Sequence, residues 1–176
     1  VPDRVFFKIF GSIIVLLSSS FLGYILSRDC IERPQQLRCL QGLMQMFENQ
    51  ITYLSDVLVE AFERISRVGG ETGIFFETTA ELLKKGSAAN ASEAWEKAVK
   101  KCIRKTALNR EDEQILLSFG KSLGNTDLEG QIKNIRLALA QLAMQEEKAE
   151  DNRKKNESMY RSLGILGGMA VVIVLL

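Results

Sequence analysis

The chain contains no histidine in its 176 residues. Serine–histidine triads, histidine-ligated metals and histidine proton switches are thereby excluded. Proline is nearly missing, at two residues, and thirteen glycines are an ordinary share. A collagen-like, disordered or loop-dominated chain is excluded by that composition. An excess of one charge is missing too: 23 Lys and Arg stand against 22 Asp and Glu, a formal net charge of +1. Duplex binders carry a clear basic excess, so no nucleic-acid partner is expected. The cysteines, Cys30, Cys39 and Cys102, are odd in number, unevenly spaced and without a C-x-x-C pair. With no histidine beside them they cannot complete a tetrahedral zinc site, and they read as reduced thiols in a reducing compartment. Cys102 has basic neighbours in Lys101 and Arg104 but no base to activate it, and reads as an ordinary small helix residue. Nucleotide-binding glycine loops and a G-x-S-x-G elbow are both absent. No catalytic residue, cofactor or metal site is expected, and the chain is not read as an enzyme.

What is present is two greasy ends around a charged middle. From Ile9 to Leu26 there are 18 consecutive uncharged residues. As a helix they span about 27 Å, and about 30 Å if Lys8 snorkels and the run begins at Val5. A cleaved signal peptide is the rival reading, but the apolar run continues too far for a typical one. Ser162 to Leu176 is again uncharged. Its fifteen residues give only about 22 Å, and Met159, Tyr160 and a snorkelling Arg161 bring it close to bilayer thickness. A core strand is the alternative, weakened by the lack of a strand partner elsewhere. Ser19-x-x-x-Gly23 and Gly164-x-x-x-Gly168 are small-xxx-small patterns that let membrane helices approach closely. The expected organisation is a membrane helix over 1–27, a helical domain over 28–157 and a second membrane helix over 158–176.

Orientation follows from basic residues near the membrane ends. Arg28, Arg33, Arg38, Lys148, Arg153, Lys154, Lys155 and Arg161 lie on the inner flanks, against only Arg4 and Lys8 outside. The middle is expected in the cytoplasm, with both termini beyond a cell membrane crossed twice.

The middle has helical spacing almost throughout. Leu37, Leu40, Met44, Phe47, Ile51, Leu54, Leu58, Ala61, Ile65 and Val68 alternate by three and four, a heptad stripe. It begins after Pro34 and ends at Gly69-Gly70, and Ser55-Asp56 is a place where it could divide. The stripe fits either an intermolecular coiled coil or a helix packed on its own neighbours. Further helices are expected up to Gly86, after a Ser92 cap, from an Asn109 cap to Gly124, and after the T-x-x-E capping box at Thr126. Beyond Met144 the stripe fades into a segment read as a solvated stalk. The fold class is all-α, an antiparallel helical bundle flanked by the two membrane helices.

Two charged groups are candidate partner-docking residues. Lys97, Lys100, Lys101, Arg104, Lys105 and Arg110 form a basic series with no acid among them. It fits a solvated surface, an acidic partner protein, or anionic headgroups of the membrane lipid. Asp56, Glu60 and Glu63 form an acidic stripe at i, i+4 and i+7. Carboxylate-bridged metals in bundles use Glu-x-x-His pairs, so this stripe is not read as a metal site.

The order of segments resembles a known family. Its most specific parts are ERPQQLRCLQGL from Glu32, with Glu48, Ile51 and Tyr53; Ala94-Trp95-Glu96; LLSFGKSLGNTD from Leu116, with Gln131 and Leu137 to Leu139; and KNESMYRSLGILGG from Lys155. With the two hydrophobic ends, these resemble the stage III sporulation protein AB family of endospore-forming bacteria over essentially the full chain. The three cysteines are not part of that pattern. The resemblance implies anchoring in the mother-cell membrane at both ends and a helical domain facing the mother-cell cytoplasm. It implies a place in the channel linking mother cell and forespore during engulfment, among other membrane components. It also implies contact with the secretion-type ATPase, stage III sporulation protein AA, by distant analogy to the platform (F) proteins of type II secretion. On that reading the ATPase performs the chemistry and this chain is its membrane platform. From the heptad stripe alone, the alternative is a membrane-anchored coiled-coil sensor or signalling protein with a dimeric cytoplasmic stalk.

Overall fold

The basic unit is a helix that reverses at each loop. The computed structural model describes residues 30–52 and 58–175, and for 157, 158 and 160–175 it describes the backbone alone. The helices are α1 over residues 30–52, α2 Leu58–Ser66, α3 Ile74–Lys84, α4 Ala91–Cys102, α5 Arg110–Gly120 and α6 Leu128–Leu175. A single 3-10 turn, Ile103–Lys105, extends α4. Among the described residues there is no strand, as the helical spacing predicts. Asp56, Ser19 and Gly23, with the whole segment 1–27, lie outside the described residues.

The heptad stripe does not continue as one helix. Phe47 and Phe62 stack with ring centroids 5.0 Å apart, whereas fifteen residues of straight helix would separate them by about 22 Å. The chain therefore turns back between α1 and α2, and the stripe's two halves pack on each other. Val68, its expected last member, is 64% exposed. At the other limit, the helix is already formed at Cys30, so Pro34 stands inside it. Its missing amide leaves the Cys30 carbonyl without its helical donor.

The core gathers one large ring from almost every element. Phe47, Phe62, Phe76, Trp95 and Phe119 are all buried. Trp95 meets Phe76 edge-on at 5.1 Å and Phe119 at 5.3 Å, and lies over Phe62 at 6.0 Å. Its indole Nε1 donates to the Leu116 carbonyl at 2.8 Å, which settles the one polar atom of a side chain with no solvent exposure. Truncating any such ring costs about 3–5 kcal/mol.

Local chemistry sets the helix limits, sometimes one or two residues from where the sequence suggested. Gly86 does end α3: its φ of +63° lets Ser87 N–H reach the Leu82 carbonyl and Gly86 N–H the Leu83 carbonyl, the Schellman arrangement. Asn109 caps α5 as expected, and Asp112 returns the bond to the Asn109 amide, completing a capping box. For α4 the cap is Asn90 rather than Ser92, because the extended Asn90 backbone aims its Oδ1 at the Glu93 amide. For α6 the cap is Asp127 rather than Thr126: Asp127 Oδ1 accepts from Gly130 N–H at 3.0 Å. Thr126 Oγ1 instead bonds back to the Ser122 carbonyl. Leu128, the first residue of α6, is half exposed. Helix α5 ends at Gly120, before Gly124, and the turn that follows tucks Leu123 into the core.

Helix α6 corrects the expected stalk. Ile135, Ala138, Leu142, Gln145 and Ala149 are buried along one face, so the apolar stripe narrows beyond Met144 without stopping. That face lies against α1 in antiparallel register. From one end to the other the partners are Glu48 with Arg136 at 2.7 Å, Arg38 and Gln41 with Glu146 at 2.8 and 2.7 Å, and Cys30 with Asn156 at 3.2 Å. The residues that lead into both apolar runs thus sit side by side at one end of the bundle. Among the described residues no helix is long and apolar enough to cross a membrane. Of the second apolar run, residues 162–175 are helical backbone, in a helix that passes 157 and 158 without a break.

Candidate docking surfaces

The bundle has two unlike ends. At the end shared by Cys30 and Asn156, the chain enters α1 and leaves along α6, and the loops between α2 and α3 and between α4 and α5 are nearby. Gln36 fixes both loops: its Nε2 donates to Glu71 at 2.8 Å, and its Oε1 accepts from Ala107 N–H at 2.7 Å. Arg33 joins three helices there. It holds Asp112 through two bonds at 2.8 and 3.0 Å and donates to Gln145 at 3.0 Å. Asp112 is fully buried, and the Arg33 side chain is 13% exposed. A buried carboxylate needs such a bidentate partner. The sequence offered no separate signal for this latch; Arg33 read as a membrane-flanking cation.

The structure divides the basic series. Lys97 pairs with Glu93 at 2.7 Å and donates to the Ser87 carbonyl, while Lys100 pairs with Glu96 at 2.5 Å. The bond from Lys97, reinforced by the Ala89 amide, holds the Glu93 carboxyl below its ordinary range, and the bond from Lys100 does the same for Glu96. Lys101, Arg104, Lys105 and Arg110 are exposed, and none has an ion-pair partner among the described residues. They cluster where α4 ends and α5 begins, at the Cys30–Asn156 end.

Of the acidic stripe, Glu60 and Glu63 lie on α2, toward the opposite end, while Asp56 falls outside the described residues. Glu60 sits 4.0 Å from Arg64, and Glu63 pairs with Lys84 of α3. Sequence reasoning did not bring out the flanks of α5. A groove of about 470 Å³ between α5 and α6 is lined by Glu111, Gln114, Ile115, Gln141, Met144 and Lys148. A second, of about 400 Å³, lies between α4 and α5, with Glu96, Lys100, Leu117 and Lys121. Glu111 is held below its ordinary range by a bond from Gln145 and by Lys148, whose Nζ is 3.6 Å away. Neither groove brings a nucleophile to a base. Among the described residues no cluster of acids and cysteines could hold a metal ion. Gly164 and Gly168 lie on the α6 backbone, four residues and so about one turn apart.

Comparison with known proteins agrees with this arrangement. The family model described as Stage III sporulation protein AB (spore_III_AB) matches residues 8–176. Stage III sporulation protein AB of Bacillus subtilis (strain 168) is 32% identical over 170 residues, covering 96% of this chain and 99% of its own. A solved structure of stage III sporulation protein AB (SpoIIIAB) superposes with a TM-score of 0.65 at 33% identity, covering 69% of this chain and 96% of its own. With the match running through the Arg33 latch, the Trp95 core and both apolar ends, the chain belongs to the stage III sporulation protein AB family, a component of sporulation.

Proposed function

We propose that this chain is a non-enzymatic membrane platform of the sporulation channel, standing in the mother-cell membrane on two helices and receiving the AA-type ATPase on its cytoplasmic bundle. The α1–α6 register is the observation that carries the reading. Cys30 beside Asn156 puts the described residues that adjoin the two apolar runs at the same end of the bundle, an arrangement in which both runs can enter one membrane without the chain crossing its own domain. The small-residue patterns at Ser19 and Gly23 and at Gly164 and Gly168 would let two such spans approach closely.

The opposite end, away from the membrane, is then open to a cytoplasmic partner. It carries the α2 acids Glu60 and Glu63 and the loop after α3. The other channel components would meet the spans themselves. The sensor reading loses its basis, since the heptad stripe folds back on itself inside one chain. Binding of the AA-type ATPase to the full chain in detergent tests the proposal. Glu60→Lys with Glu63→Lys should weaken it about tenfold or more, and Lys101→Glu with Lys105→Glu should leave it unchanged. The reverse pattern would overturn the choice of face, and no binding by the unaltered chain would overturn the platform reading.

A further inference from the structure

We infer that the α4–α5 corner, formed by Lys101, Arg104, Lys105 and Arg110, is a docking surface for the anionic phospholipid headgroups of the membrane that anchors the chain. The inference rests on the anchoring proposed above and adds a second contact to it: the bundle leans on the leaflet as well as being tethered to it.

Three observations carry it. The first is composition: residues 97–110 contain six cations and no carboxylate. The second is pairing. Lys97 and Lys100 are occupied by Glu93 and Glu96, and of the acids near the corner Glu111 lies against Lys148 and Asp112 is closed by Arg33. Glu71, whose partner is the neutral Gln36 amide, and Glu113 keep their charge, so the four remaining cations leave the corner with a net positive charge and no ion pair of their own among the described residues. On α6, Glu147, Glu150 and Asp151 are followed toward the apolar run by Arg153, Lys154, Lys155 and Arg161 with Glu157 as the one acid among them, so, although Arg153 pairs with Glu150, the basic character increases in the same direction.

The third observation is position, and it separates a lipid surface from an acidic protein. The bond from Ala107 to Gln36 fixes the corner's level on α1. Six residues of helix, about 9 Å, separate Gln36 from Cys30, and Cys30 is level with Asn156. The uncharged run of α6 begins six residues further, another 9 Å or so. A headgroup layer some 5–7 Å deep covers the hydrocarbon, and Lys and Arg side chains extend about 6 Å toward it. The remaining gap is near one Debye length at physiological salt, about 8 Å. Four cations without ion pairs at that distance feel the negative surface potential of an anionic leaflet. A protein partner has no comparable reason to meet the end of the bundle that faces the bilayer.

Acetylation rates of individual lysines, read by mass spectrometry on the full chain in nanodiscs, test this. In discs containing phosphatidylglycerol, Lys101 and Lys105 should react about threefold or more slowly than in phosphatidylcholine discs. Lys121 and Lys133, away from that corner, should react equally in both. The protection should vanish near 0.5 M salt and fall in Arg104→Glu/Arg110→Glu, whose lysines remain as reporters. Equal rates in the two discs would overturn the inference, as would protection that appears only when an acidic protein is added. Release of the chain from membranes by alkaline carbonate would remove the anchoring and this inference together. A carbonate-resistant chain with equal lysine rates would remove this inference alone.

Discussion

Gly120 closes α5 against the face of Trp95. A Cβ there would fall 2.3 Å from Trp95 Cδ1, so the ring would have to leave its place among Phe62, Phe76 and Phe119. Gly120→Ala on a bare helix would stabilise by about 1 kcal/mol; here it is expected to destabilise by about 1–3 kcal/mol. Urea unfolding followed by the fluorescence of Trp95, the chain's one tryptophan, reads the sign directly. Asp112 gives a second residue-scale expectation. Asp112→Ala leaves the Arg33 guanidinium largely buried without its partner and removes half of the α5 capping box, a loss of about 3–5 kcal/mol. Replacing both, Arg33→Met with Asp112→Leu, should return most of that stability in the same unfolding measurement, because the desolvation cost goes with the charges.

Helix by helix, the caps decide where the chain turns. Asn90→Ala should cost about 1 kcal/mol, whereas Ser92→Ala, inside the first turn of α4, should stay within about 0.5 kcal/mol. Thermal unfolding of the two variants distinguishes them. The α4 ion pairs give a pH dependence with a definite sign. Glu93 and Glu96 have folded pKa values below their unfolded ones. Their pairing with Lys97 and Lys100 therefore supports the fold at and above the ordinary carboxylate range, and is lost as pH falls through the lowered folded values. Carboxyl NMR titration should find both midpoints below that of an unpaired surface glutamate; unshifted midpoints would contradict the pairing.

These elements also mark what the sequence made legible. Helical periodicity marked out the helical segments among the described residues, because a buried stripe repeats on a scale that a short window captures. Gly86 and Asn109 announced their roles, since a positive φ and an N-cap are local needs of single residues. Ser92 and Thr126 misled, because each has a neighbour, Asn90 and Asp127, whose side chain caps the helix from a different position, at the Glu93 and Gly130 amides. The polar stretch after Met144 read as a stalk because Gln145 and Ala149 carry little hydrophobic signal. Their burial comes from α1, far away in sequence. The Arg33–Asp112 latch was hidden for the same reason, as was the division of the basic series into paired and unpaired members. The family itself was legible, because its segments keep their order along the whole chain.

For the whole molecule, the consequence of an antiparallel α1–α6 pair is polarity. One end of the bundle holds Cys30 beside Asn156 and the unpaired cations, and the other holds the acids Glu60 and Glu63. In the proposed anchoring the first of these ends faces the membrane. The most direct measurement is energy transfer to acceptor-labelled headgroups from a donor dye on the full chain in vesicles. The dye is placed at Thr106→Cys or at Ser87→Cys, with the three native cysteines replaced. Helix α4 and its 3-10 extension separate the two sites by roughly 20 Å along the bundle. Transfer should be clearly stronger from position 106 than from position 87, and equal or reversed efficiencies would contradict the proposed orientation.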